Sequence, residues 1–252
     1  MVVPPVTPQP SLRLTMDACE IHKHGMTTIA LTPEANAARD ALRRILAAAW
    51  LAVIAGVLVQ LAVIGVRAWA GGVVEAMGVA AELAQGLSWS ILVCAAIAVG
   101  TLASKSRAVI AGWIGFFAGP LAWAAAKGVQ KGVQALASVP QDQLTPLFWA
   151  VCAWKGLEYA LLGYGLALLV ARGGARASSY ATFGALVGLL SACIVIALNV
   201  GNAAANASHV PLPKVASLLA NELFFATACS VVIYAAQTLT RSLGVLKRAS
   251  AA

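Results

Sequence analysis

The sequence predicts an all-α fold, a polytopic membrane bundle of six transmembrane helices, and three observations carry the prediction. Mean hydropathy is +0.85, and only 10% of the 252 residues are charged, against about 25% in an ordinary soluble domain. Six apolar runs approach the ~20 residues with which a helix crosses the hydrocarbon core. The basic residues between those runs fall mostly on one side.

The runs cover approximately 45–66, 87–103, 108–126, 147–171, 178–200 and 218–240. Gly, Ala and β-branched residues fill them. In lipid the backbone of such a run satisfies its own N–H and C=O groups by staying helical.

Residues 1–32 form a separate region. The stretch MVVPPVTPQPSLRL is Pro-rich and lacks the continuous apolar core of a signal peptide, so a disordered cytoplasmic arm is expected, followed by a six-helix transmembrane domain over 33–252. Met26 is an alternative start. Thr32 reads as an N-cap, with Pro33 at the first helical position and Glu34 in the first turn, so a helix leads into the first run. Within the arm, Cys19, His22 and His24 are ligand types suited to zinc or copper. They lack a fourth ligand and a fold to fix their geometry, so a solvated tail is expected and no metal or cofactor is assigned.

The connections predicted on the outer side are longer. In 70–86, Glu75 and Glu82 are seven apart on one face, the pattern of an amphipathic helix lying along the outer surface. The segment 127–145 has the same character until Pro140, and 202–213 is a turn-rich loop holding the sequon-like Asn206-Ala207-Ser208.

Charge orients the chain. Arg39, Arg43, Arg44, Lys105, Arg107, Arg172, Arg176, Arg241, Lys247 and Arg248 fall on one side, ten basic residues against the four of the other, Arg67, Lys127, Lys131 and Lys214. The positive-inside rule then places both termini in the cytoplasm. The net charge of +8 forms no basic stripe with interleaved aromatics, which argues against a nucleic-acid partner. Trp69, Trp89, Trp123 and Trp149 lie near the predicted outer ends, as an interfacial belt facing lipid would. Cys94, Cys152, Cys193 and Cys229 sit in different runs and read as small buried apolar residues. Gly115 with Gly119, and Gly184 with Gly188, repeat a four-residue spacing; common membrane packing is the favoured explanation over duplication.

Chemistry concentrates in the fourth run. Lys155 and Glu158 are spaced i, i+3, hence on one helix face, and each is costly at the bilayer centre, about 2.5–3.5 kcal/mol on insertion scales. Val151, Leu162 and Gly165 continue their stripe, while Leu157, Leu161 and Leu168 form a lipid-tolerant side. Asn199 and Asn202 close the fifth run, Asn221 and Glu222 open the sixth, and Gln60 is at comparable depth. Asn199, Asn202, Asn221 and Glu222 outline a polar vestibule leading from the outer side to Lys155 and Glu158. Glu222, about one turn into the sixth run, also fits a headgroup position near a helix N-terminus.

The expected function is a transporter or channel of a bacterial-type inner membrane, handling a small polar or cationic solute or protons. The alternative is a non-catalytic structural or assembly subunit of a larger respiratory, photosynthetic or export complex. In that case the Lys155–Glu158 pair is a static tie, and other membrane subunits or a homo-oligomer are partners. No Ser/His pair lies in the runs, and neither HExxH nor a phosphate-cradling glycine loop occurs, so an enzyme is not expected.

Overall fold

The computed structural model describes residues 33–103, 108–137, 145–173 and 175–249. The N-terminal arm with Cys19, His22, His24 and Met26, the Thr32 cap, Lys105 and Arg107, and the loop around Pro140 and Asp142 lie outside them.

Six helices make up the described chain: α1 (Pro33–Trp69), α2 (Ala76–Ala103), α3 (Ala108–Leu136), α4 (Pro146–Ala171), α5 (Ala177–Ala205) and α6 (Leu212–Ala249). Each contains one predicted apolar run and extends past it. The segments 76–86 and 127–136 are helical, as their periodicity requires. They are continuous with α2 and α3, however, and do not form separate surface-lying helices, because backbone hydrogen bonding propagates more easily than it restarts. α1 stops where Gly71, at φ 84, turns the chain and the Gly72 N–H bonds back to the Arg67 carbonyl. α4 begins with extended Thr145 and Pro146, which has no N–H to leave unpaired.

Five of these helices, α1, α2, α3, α5 and α6, are long and apolar enough to cross a membrane. At 26 residues, or ~39 Å at 1.5 Å per residue, α4 matches them in length. Lys155 and Glu158 dilute its apolarity. The bundle is an integral membrane protein whose outward faces are apolar: Trp50, Ile54 and Leu58 on α1, Trp113, Phe117 and Leu121 on α3, and Leu186 and Leu190 on α5 are all exposed.

Consecutive helices pack along one another and α1 closes on α6, while α2 reaches inward to α4 and α6. The α4–α5 pair is the exception, a sparsely packed seam in the ring. Elsewhere small residues allow close approach, as expected where lipid removes the hydrophobic drive between helices. A Cβ on Gly119 would run into the Lys155 carbonyl, and one on Gly188 would lie 2.6 Å from the Glu222 carbonyl. The two glycine pairs therefore perform the same task, α3 against α4 and α5 against α6. Of the cysteines, Cys94, Cys152 and Cys229 are buried, whereas Cys193 is exposed on the outside of α5; one apolar face of that helix points out of the bundle.

Candidate functional site

Lys155 and Glu158 occupy the inward face of α4, with Val151 and Leu162 above and below, all 6% exposed or less. Leu157, Leu161 and Leu168 face outward, 54%, 44% and 39% exposed. The lipid-tolerant side and the polar stripe are where the helical spacing places them.

The partner of the pair is Glu222. Lys155 Nζ donates to Glu158 Oε2 at 2.7 Å and also to Glu222 Oε2. Ser191 Oγ is 2.7 Å from Glu158 Oε2 and 3.0 Å from Glu222 Oε2, and it accepts the Trp154 indole N–H at 3.0 Å. Lys155, Glu158, Glu222 and Ser191 are all essentially sealed from outside. The cluster ties α4 to α5 and α6 across the sparsely packed seam.

Depth follows from the helices. Glu158 is twelve residues from Pro146 and thirteen from Ala171; Ser191 is fourteen from either end of α5. At 1.5 Å per residue this places the cluster ~18–21 Å from the helix ends, the middle of the bundle. The headgroup position open to Glu222 is thereby corrected. α6 begins at Leu212, ten residues earlier, because Pro213 starts a helix well, and Glu222 is carried inward.

Aromatic rings complete the enclosure. Lys155 Nζ lies 5.5 Å from the Trp89 ring centroid, 5.8 Å from Tyr159 and 6.0 Å from Trp123, within the range of cation–π attraction. Trp89 packs edge-on against both Trp123 and Tyr159. The expectation that Trp89 and Trp123 face lipid is therefore wrong: Trp89 is 5% exposed and Trp123 half-buried. Their electron-rich faces are better placed against a desolvated ammonium. Trp69 and Trp149 are exposed, as expected.

Two carboxylates against one ammonium leave one unit of negative charge. Glu158 Oε1 is buried with no hydrogen-bond partner. Such a charge in low dielectric is costly until it is neutralised, so the cluster can take up one proton.

Above the cluster, on the side where α1 ends and α2 begins, a cavity of ≈ 390 Å³ opens between all six helices. Asn199, Asn221 and Glu222 line it, as expected from the ends of the fifth and sixth runs, and Gln60 of α1 joins them. Asn202 does not: it is exposed at the end of α5, and its carbonyl accepts from Asn206 at 2.7 Å. From Asn199 to Asn202 is three residues, which keeps roughly the same face but carries Asn202 ~4.5 Å nearer the C-terminal end of α5, where three residues of helix remain and the side chain is exposed. Within the wall, Asn199 Nδ2 bonds the Val195 carbonyl at 2.8 Å, and Arg67 pairs with Glu82 between α1 and α2.

Sequence reasoning missed Ser191, Trp89 and Trp123. A signal existed for two of them. Gly184, Gly188, Ser191, Val195 and Asn199 form one row at three- and four-residue spacing, and Trp123 continues the row of Gly115 and Gly119. Comparison of the chain with family models, with curated proteins and with solved structures returns no match.

Proposed function

We propose that the chain is a membrane transporter or channel that passes a small polar solute or protons, with Glu158, Lys155 and Glu222 as its charged centre. One observation carries this reading. The cavity between the ends of all six helices has Glu222 in its wall, and Glu222 belongs to a mid-bundle cluster that is one proton short of neutrality. A solute or proton entering from that side meets the cluster directly. Adding or removing a proton there alters ties that hold α4 to α5 and α6, so loading and movement of the seam are coupled. Intramembrane carboxylates that line a polar path commonly serve in this way.

The assembly-subunit reading draws less support. Lys155 is satisfied by Glu158 and Glu222 of its own chain, so the charges do not call for a partner's helix. The test uses vesicles reconstituted with the full chain and a trapped pH-sensitive dye. Wild type dissipates an imposed proton gradient, and Glu158→Gln, which retains shape and accumulation, abolishes that flux. Equal flux from the two proteins defeats the proposal.

Orientation is part of the reading: in a bacterial-type inner membrane, the cavity faces outward and the Arg39–Arg44 end is cytoplasmic, supported by the ten-to-four basic asymmetry. Ser178 and Ser208 are both exposed, near opposite ends of α5. An impermeant thiol reagent applied outside whole cells should label Ser208→Cys and leave Ser178→Cys unlabelled. The reverse pattern inverts the topology.

A further inference from the structure

The mouth of the cavity carries a charge pattern that the buried centre does not explain. Arg67, Lys127, Lys131 and Lys214, from α1, α3 and α6, all line it. These are the four basic residues that the topology count places outside, where their scarcity would leave them scattered if they served only as membrane-edge charges. The carboxylates in the same wall are Glu82 and Glu222, each held by a cation, Glu82 by Arg67 and Glu222 by Lys155. Among the described residues, Lys131 and Lys214 have no ion-pair partner. Lys127 donates to Gln130 Oε1 at 2.8 Å and lies 5.2 Å from the Trp123 ring centroid.

Between this rim and Glu222 the wall supplies amide and hydroxyl groups, among them Gln85, Asn221 and Ser217. A lysine ammonium offers three donors and no acceptor, and an amide offers two donors. A recess with low-dielectric walls and one sign of charge concentrates the opposite ion, by about 10-fold to 10³-fold in encounter rate. The volume, ≈ 390 Å³, falls within the ~300–1,000 Å³ of small-molecule sites, so the occupant is of metabolite size and not a bare halide.

We infer that the vestibule binds an anion, a small molecule carrying a carboxylate or phosphate group, through Lys131 and Lys214 at its rim. The inference rests on the transport reading for its purpose, though not for its binding chemistry. It runs against the cationic solute that the sequence admits, since such a solute would have to pass the lysines. A phosphate can come from a free solute or a lipid headgroup, and both offer the same chemistry to the rim.

The experiment labels Ser217→Cys in the full chain with anionic and cationic methanethiosulfonates, wild type providing the background from native cysteines. Ser217→Cys should favour the anionic reagent by about tenfold relative to Ser208→Cys on the exposed loop. Lys131→Gln with Lys214→Gln should remove most of that preference. Inorganic phosphate or citrate, against chloride at equal ionic strength, should protect the cysteine. Equal rates for the two reagents, or a cationic preference, overturn the inference, as does absence of protection by phosphate, citrate and anionic lipid alike. Nanodiscs of phosphatidylcholine alone, then with phosphatidylglycerol, assign the source. Protection by soluble anions in both supports a solute, and protection by phosphatidylglycerol alone supports a headgroup in the same site. Protection without any flux in vesicles retains the anion site and defeats transport, while flux of cations without protection does the reverse.

Discussion

Lys155→Met destabilises the bundle by about 3–5 kcal/mol, the range for leaving buried charge without its partner, and does so more than any other single change at the centre. Glu158 and Glu222 both approach Lys155 Nζ and share Ser191 Oγ. Removing the ammonium leaves two carboxylates facing one another in low dielectric. Glu222→Gln alone leaves a one-to-one Lys155–Glu158 pair and lowers stability least. The double change Lys155→Met, Glu158→Gln still strands Glu222. Only the triple change that adds Glu222→Gln restores an uncharged centre, and it should recover most of the lost stability. Thermal or denaturant unfolding of the purified variants in detergent measures the series. A Lys155→Met protein as stable as wild type, or a triple variant no better than Lys155→Met, contradicts the charge accounting.

Gly119→Val and Gly188→Val should each lower stability by about 1–3 kcal/mol or more, the range for overpacking, and both should impair flux. These glycines face the backbone carbonyls of Lys155 and Glu222, so a side chain at either forces a site-bearing helix outward. Backbone moves less easily than the tip of a flexible side chain, and the displacement passes directly to the ion pairs. Gly128 and Gly132 provide the control on the same helix. Neither has an atom within 4 Å of an added Cβ, and their change to Ala should be neutral or stabilising by up to ~1 kcal/mol through helix propensity. If all four positions respond alike, close approach of the helices is not what places the site.

How much was legible beforehand depends on the range of the interaction that decides each feature. The inward stripe of α4, with Lys155 and Glu158 on one face and Leu157 and Leu161 on the other, follows from spacing within one helix. That Glu222 approaches Lys155 does not follow from either helix alone, because sixty-seven residues separate them. It depends on how deeply each helix is inserted and how it is rotated. Glu222 is one turn into an apolar run that begins near residue 218, but α6 itself begins at Leu212, which carries Glu222 deeper. Asn202 shares a face with Asn199 by spacing, but it lies nearly one turn closer to the end of α5, beyond the cavity wall.

The tryptophans illustrate the same limit. Trp69, Trp89, Trp123 and Trp149 all stand near the predicted outer ends of the apolar runs, which suits a lipid belt equally well for all four. α2 and α3 extend past those runs, to Ala76 and Leu136, so Trp89 and Trp123 lie thirteen residues inside the helix ends and face Lys155, while Trp69 and Trp149 remain exposed.

By itself, the sequence determined the membrane class, six helices and the inward face of α4. These depend on composition and on a periodicity that one helix expresses alone, since lipid leaves the backbone no other satisfied conformation. The closure of the cluster by Ser191 and Glu222, the aromatic enclosure and the gathering of four basic residues around one cavity were decided only by tertiary structure. Each requires side chains from several helices to meet, and the small-residue contacts that set those rotations and depths act between helices, where no single segment carries their pattern.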